Sequence, residues 1–181
     1  GITVLMKNMR VRSARNWTNE TNKSIMSFRK EKFMSLAGIT AVEHPLEELK
    51  SISRELLDAG IHGICFSAYD EGQQPGDQLT EAQVRRKLSI LKPHISWVRT
   101  FSCTEGNEFI AQIAHEMGIK TLVGAWLGDD LEKNEAEIAG LIALCKQGVV
   151  DVAAVGNEVL YREDLEAPEL VKYIERVKAE V

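Results

Sequence analysis

The chain has 181 residues, 44% hydrophobic and 27% charged, enough for a domain with a sizeable core and unlike a disordered segment. No apolar run reaches the ~20 residues that a membrane-crossing helix needs, and no charged-then-apolar signal pattern opens the chain, so a cytoplasmic location is the default expectation, with export as the alternative. The net charge of −5 divides into +6 over residues 1–34 (eight Lys/Arg against two acids) and −11 over the other 147 (fourteen against twenty-five); the acidic body argues against nucleic acid as a partner.

Residues 1–45 read as a basic leader or arm, poorly ordered, and residues 46–181 as the folded domain. Three overlapping sequons start at Asn16, Asn19 and Asn22 and matter only in a secreted chain. Leu46, Leu49, Ser53, Leu56 and Leu57 keep helical spacing, and Gly60 can end that leading helix. The apolar run Ile61–Ala68 is the first expected strand, followed by a Gly/Gln/Asp/Pro-rich loop over Tyr69–Gln78.

Thr80 with Gln83 has the spacing of a capping box ahead of a helix striped by Val84, Leu88 and Leu91 and stopped at Lys92-Pro93. A second strand is expected over Trp97–Phe101, then a helix carrying Phe109, Ile110, Ile113, Ala114 and Met117 up to Gly118. A third strand is expected over Ile119–Trp126. Asn134 and Glu137 are spaced as caps for the next helix, whose stripe is Ile138, Leu141, Ile142 and Cys145. The fourth strand is expected over Val149–Gly156, and Pro168 suits the first turn of a last helix with Leu170, Ile174 and Val177.

Four strand-helix units with continuous apolar strands imply a parallel sheet covered by helices, either a doubly wound sheet or a (β/α) barrel. No G-x-G-x-x-G or P-loop follows a strand, which removes support for nucleotide binding. Polar and aromatic residues gather after the strand C-termini, where both architectures bind ligands: Tyr69, Asp70 and Glu71; Ser102 and Glu105; Trp126 and Asp129; Asn157 and Glu158. Cys65, Cys103 and Cys145 form no CxxC pair and sit in apolar elements, so buried thiols are expected rather than a zinc site. His44, His62, His94 and His115 lie before strands or within helices, which leaves little for a metal-dependent sugar isomerase; no metal and no cofactor is expected.

The decisive pattern is Val155-Gly156-Asn157-Glu158, which ends the fourth strand and aims a carboxylate at the mouth of a barrel. With Gly63-Ile64-Cys65-Phe66-Ser67-Ala68-Tyr69, Trp97-Val98-Arg99-Thr100-Phe101-Ser102-Cys103 and Val123-Gly124-Ala125-Trp126-Leu127, in that order, it resembles glycoside hydrolase family 17, most of all its bacterial branch, from about residue 60 to 181. The resemblance implies an α/β fold, the first four βα units of a (β/α)8 TIM-type barrel behind a leading helix. It implies a retaining glycoside hydrolase or transglycosylase of β-1,3-glucan, with Glu158 as general acid/base.

Asn157 then matches the residue touching the sugar at the cleavage subsite, and Tyr69 the aromatic at the first strand end. Trp126 matches a position near the sugar, and Arg99 the strand-two arginine, which inside a barrel calls for a carboxylate partner. Phe101 stands where the family often has Tyr. Glu71, Glu105 and Asp129 belong to no motif of the family and read as surface charges. The family's nucleophile, a Glu at the end of the seventh strand, has no counterpart in four βα units.

Four strands also leave open edges and a bare inner face, so closure is expected from a second copy, a C-terminal half or the chain's own N-terminal segment. A catalytically silent half barrel that binds carbohydrate or a protein partner is the alternative.

Overall fold

The computed structural model describes residues 3–4 and 44–181; the rest of the basic leader, with its three sequons, lies outside the described residues. Two compact units result, Lys7–Leu57 and Gly1–Met6 with Asp58–Val181. Helix α1 spans Leu46–Asp58. It starts where the Pro45 carbonyl accepts from Glu48 and Leu49, and Glu47 and Glu48 lie at its positive end. None of its side chains is buried.

The larger unit alternates strand and helix: β2 (Ile61–Cys65), α2 (Glu81–Leu91), β3 (Ile95–Arg99), α3 (Glu108–Glu116), β4 (Lys120–Ala125), α4 (Leu131–Lys146), β5 (Val152–Val155) and α5 (Ala167–Glu180). All four expected units are present. Strands β2, β4 and β5 are shorter than their apolar runs, because residues such as Phe66, Ala68 and Val150 are buried beside the ladder rather than in it, and β3 keeps its expected length but starts two residues earlier, at Ile95 instead of Trp97. Thr80 caps α2 through the Gln83 amide at 3.2 Å, but the Gln83 side chain reaches away to Ala68 and Gln73, so only half of the expected box forms. On α5 the reciprocal box is complete between Glu166 and Glu169, with Pro168 in the first turn.

With a two-residue strand β1 (Thr3–Val4), the sheet is parallel throughout, in the order β1-β5-β4-β3-β2. Strands β2 to β5 stand in sequence order with no reversal. A doubly wound sheet reverses at its switch point, so four consecutive βα units of this kind make a partial α/β barrel. Strand β1 (Thr3–Val4) was not anticipated; it pairs with Val152 and Ala153 along the outer edge of β5.

Register separates the two faces. Val98, Thr121, Val123, Ala125 and Ala153 are buried beneath the helices. On the other face, the matched layer Cys65, Arg99, Leu122 and Val152 is half-buried or exposed. Cys65 therefore corrects the expectation of three buried thiols: it is exposed on this second face of the sheet, whereas Cys103 and Cys145 are buried. Among the described residues no helix is long and apolar enough to cross a membrane.

Candidate active site

The loops after β2, β3 and β4 enclose a cleft of about 250 Å³ lined by Phe66, Tyr69, Phe101, Asn107, Trp126 and Lys133, among others. Each loop is tied down. Gln83 of α2 donates to the Ala68 carbonyl at 2.7 Å, and the Leu79 amide donates to Glu105 O at 2.9 Å. The Asn107 amide donates to the Tyr69 hydroxyl at 3.3 Å, fixing the ring against the cleft wall. Lys133 pairs with Glu105 at 3.3 Å across the rim, so Glu105 is less free than a solvated surface charge. Beside Tyr69, Asp70 is held below the usual carboxylate range by hydrogen bonds from Arg86 and Lys87.

Beneath this cleft lies Glu137, fully buried on α4. Its Oε1 accepts from the hydroxyls of Ser102 (2.5 Å) and Thr104 (2.6 Å), and its Oε2 from the backbone amides of Cys103 (2.8 Å) and Trp126 (3.1 Å). One carboxylate thus clamps the β3 and β4 loops to each other. Burial, then the nearby Glu137 charge, pushes the Cys103 thiol well up, so it stays a neutral donor to Gly124 O at 3.4 Å.

This corrects the capping expectation for Asn134 and Glu137. Asp130 is the cap, accepting from Glu132 and Lys133. Asn134 is buried in the helix and exchanges two 2.8 Å bonds with Gly128. The i,i+3 spacing of a capping box recurs one turn further into any helix, so spacing alone could not tell the two apart. The usable signal was polarity: Asn134 and Glu137 continue the stripe of Ile138, Leu141 and Ile142, and a polar residue on an apolar stripe implies a buried partner.

At the end of β5 the chain turns through Gly156 (φ 79°) into Asn157 and Glu158. Glu158 has a left-handed φ of 55°, which costs a non-glycine residue ~1–3 kcal/mol and is met most often at functional loops. Its carbonyl accepts from Tyr161 (2.8 Å) and Arg162 (2.9 Å), closing one turn. The Glu158 side chain is exposed at the sheet's C-terminal rim and is not part of the cleft lining.

Asn157 Oδ1 accepts from Arg99 Nη2 at 2.6 Å. The expected carboxylate partner of Arg99 is therefore replaced by a carboxamide, and its guanidinium also lies 4.8 Å over the Phe101 ring. A neutral acceptor suffices because Arg99 is only half-buried, so its charge is not fully desolvated.

Sequence reasoning missed Arg162. It donates to the Asn157 and Leu127 carbonyls, pairs with Asp164 at 2.6 Å, and stacks 4.4 Å over the Trp126 ring. A lone loop arginine carries no spacing signature. The structure thus gathers Arg99 with Asn157, and Tyr69 with Trp126. Arg162 links the two pairs, and Glu158 lies beside them on the same turn. Among the described residues no group of three His, Cys, Asp or Glu could hold a metal ion.

Comparisons with known proteins agree on one family. The BtgE/BtgC glycoside hydrolase domain matches residues 63–181. The glucan 1,3-beta-glucosidase BGL2 of Candida albicans is 28% identical over 95 residues, covering 50% of this chain and 31% of the relative. A glucan 1,3-beta-glucosidase of Arthroderma benhamiae is 30% identical over 125 residues, covering 66% and 39%. Among solved structures, the glycoside hydrolase family 17 β-1,3-glucanosyltransferase from Rhizomucor miehei superposes with a TM-score of 0.55 at 26% identity, over 67% of this chain and 46% of that one. An active-site mutant of the same enzyme in complex with laminaritriose matches equally. This chain spans between 31% and 39% of the curated relatives and 46% of the solved chain. The chain belongs to the BtgE/BtgC glycoside hydrolase domain family, among the β-1,3-glucanase-like proteins of glycoside hydrolase family 17.

Proposed function

We propose that the protein acts on β-1,3-glucan as a retaining glycoside hydrolase or transglycosylase, with Glu158 as general acid/base. The observation carrying this reading is a carboxylate at the C-terminal end of the fourth barrel strand, next to Asn157 and beside an aromatic-rimmed cleft, in a chain whose relatives are named for β-1,3-glucan. The acid protonates the glycosidic oxygen as a second carboxylate attacks the anomeric carbon, and then activates water or an acceptor sugar hydroxyl. That second group must stand ~5–5.5 Å away, and the family places it on a strand beyond the four present here. Asn157 and Arg99 would hold a sugar hydroxyl at the bond being cleaved, with Tyr69 and Trp126 as flat surfaces for sugar rings.

The half-buried inner face supports a further part of the reading: a second copy, a C-terminal half or the chain's own N-terminal segment completes the barrel wall opposite Arg99, Leu122 and Val152. The test of the catalytic role is laminarin turnover. Glu158→Gln should lower it about 10²–10⁴-fold while laminaritriose binding is kept; equal turnover by both proteins would exclude Glu158.

A second reading, glucan binding without turnover, draws on the cleft lining, which includes Tyr69 and Trp126 but not Glu158. It requires binding that Trp126→Ala abolishes in a protein with no measurable hydrolysis.

A further inference from the structure

We propose that Arg162 is a positioning residue that locks Trp126 and the Asn157–Glu158 turn into one rigid unit, setting the sugar-stacking face relative to the acid. This rests on the glucan reading above for its functional meaning, but its geometric part stands alone.

The turn after β5 and the loop after β4 share little backbone pairing: Gly156 N donates to Ala125 O at 3.0 Å, within the last reach of the ladder. Beyond it, the guanidinium of Arg162 spans the gap. Nη1 donates to the Asn157 carbonyl and Nη2 to the Leu127 carbonyl at 2.7 Å, so both loops hang on one planar group. Asp164 holds that group from the far side, through Nε at 2.7 Å and Nη2 at 2.6 Å. The guanidinium carbon lies 4.4 Å from the Trp126 ring centre, over one face of the ring.

Trp126 is 37% exposed, so the ring keeps surface open to a ligand. Its backbone is pinned from below by Glu137, and its ring is backed by Arg162. A lysine could keep the charge but not the fork, because one ammonium cannot reach two carbonyls and an aspartate while also lying over an indole.

Two measurements on the full chain decide the matter. With Trp17→Phe and Trp97→Phe, Trp126 is the sole remaining tryptophan of three. Arg162→Ala and Arg162→Lys should each raise acrylamide quenching of Trp126 about twofold, since one ring face is uncovered, with far-ultraviolet circular dichroism unchanged. Unchanged quenching in both variants overturns the proposal, even if their melting temperatures fall, because Arg162 would then be a structural brace only.

In the otherwise native chain, both substitutions should weaken laminaritriose binding about five- to tenfold. Binding equal to the parent's, where the parent binds, overturns the functional half of the inference and leaves the glucan reading standing. A parent that binds no laminaritriose overturns the glucan reading for this chain and the functional half with it, while quenching still decides whether Arg162 backs Trp126.

Discussion

Glu137 shows how one side chain shapes a surface it never reaches. Its two oxygens accept four hydrogen bonds from two loops. The donors differ in freedom. The Cys103 and Trp126 amides at Oε2 are fixed, whereas the Ser102 and Thr104 hydroxyls at Oε1 can rotate and accept instead. Glu137→Gln therefore has a satisfied arrangement, its oxygen toward the amides and its NH₂ toward the hydroxyls, and should cost ~1 kcal/mol. Glu137→Ala leaves two buried amides unpaired beside a cavity and should cost ~3–5 kcal/mol. Thermal melts of both variants check this, and equal losses would show that the clamp is not the source of stability. Arg99 makes the complementary point: the sequence singled it out and required a carboxylate, but its half-buried position lets a neutral Asn157 serve.

Among the elements, α4 carries the cleft floor and is the one whose start was misjudged. Its true cap, Asp130, lies one turn ahead of the expected pair, and the misplacement hid two buried polar residues. The same helix carries Gly140 where it crosses the β3 loop. A Cβ there would stand 2.7 Å from the Cys103 carbonyl and 3.0 Å from its Cβ. Alanine favours a helix by ~1 kcal/mol over glycine, but forcing backbone apart costs ~1–3 kcal/mol. Packing should win: Gly140→Ala is expected to lower the melting temperature by a few degrees, at ~2–4 °C per kcal/mol for a chain of this size. A stabilised variant would mean that the β3 loop yields freely. The starts of α2 and α5 were legible because Thr80 accepts from the amide of its own next turn, while Pro168 brings a fixed φ and no N–H to a first turn that leaves its amides unpaired.

For the molecule as a whole, the unbroken order β5-β4-β3-β2 goes with one buried face and, among the described residues, a second face that is half-buried or exposed. Leu122 and Val152 on that second face are only half-buried. The proposed closure by a second copy predicts a species larger than one 181-residue chain in size-exclusion chromatography with light scattering; a monomer at all concentrations would leave closure to a C-terminal half or to the chain's own N-terminal segment. The pairing of Thr3–Val4 with β5 adds a strand at one edge, while β2 ends the other.

By itself the sequence determined the alternation of four strands and helices, the family and the position of Glu158 at a strand end. These follow from apolar periodicity and from motifs read along the chain, and both are local properties. Only the tertiary structure decided that Glu137 clamps two loops from below, that Arg99 meets Asn157 across 58 positions, that Arg162 backs Trp126, and that β1 joins the sheet. Those contacts join residues far apart in the chain, and their energy depends on burial and mutual geometry, which no spacing rule carries.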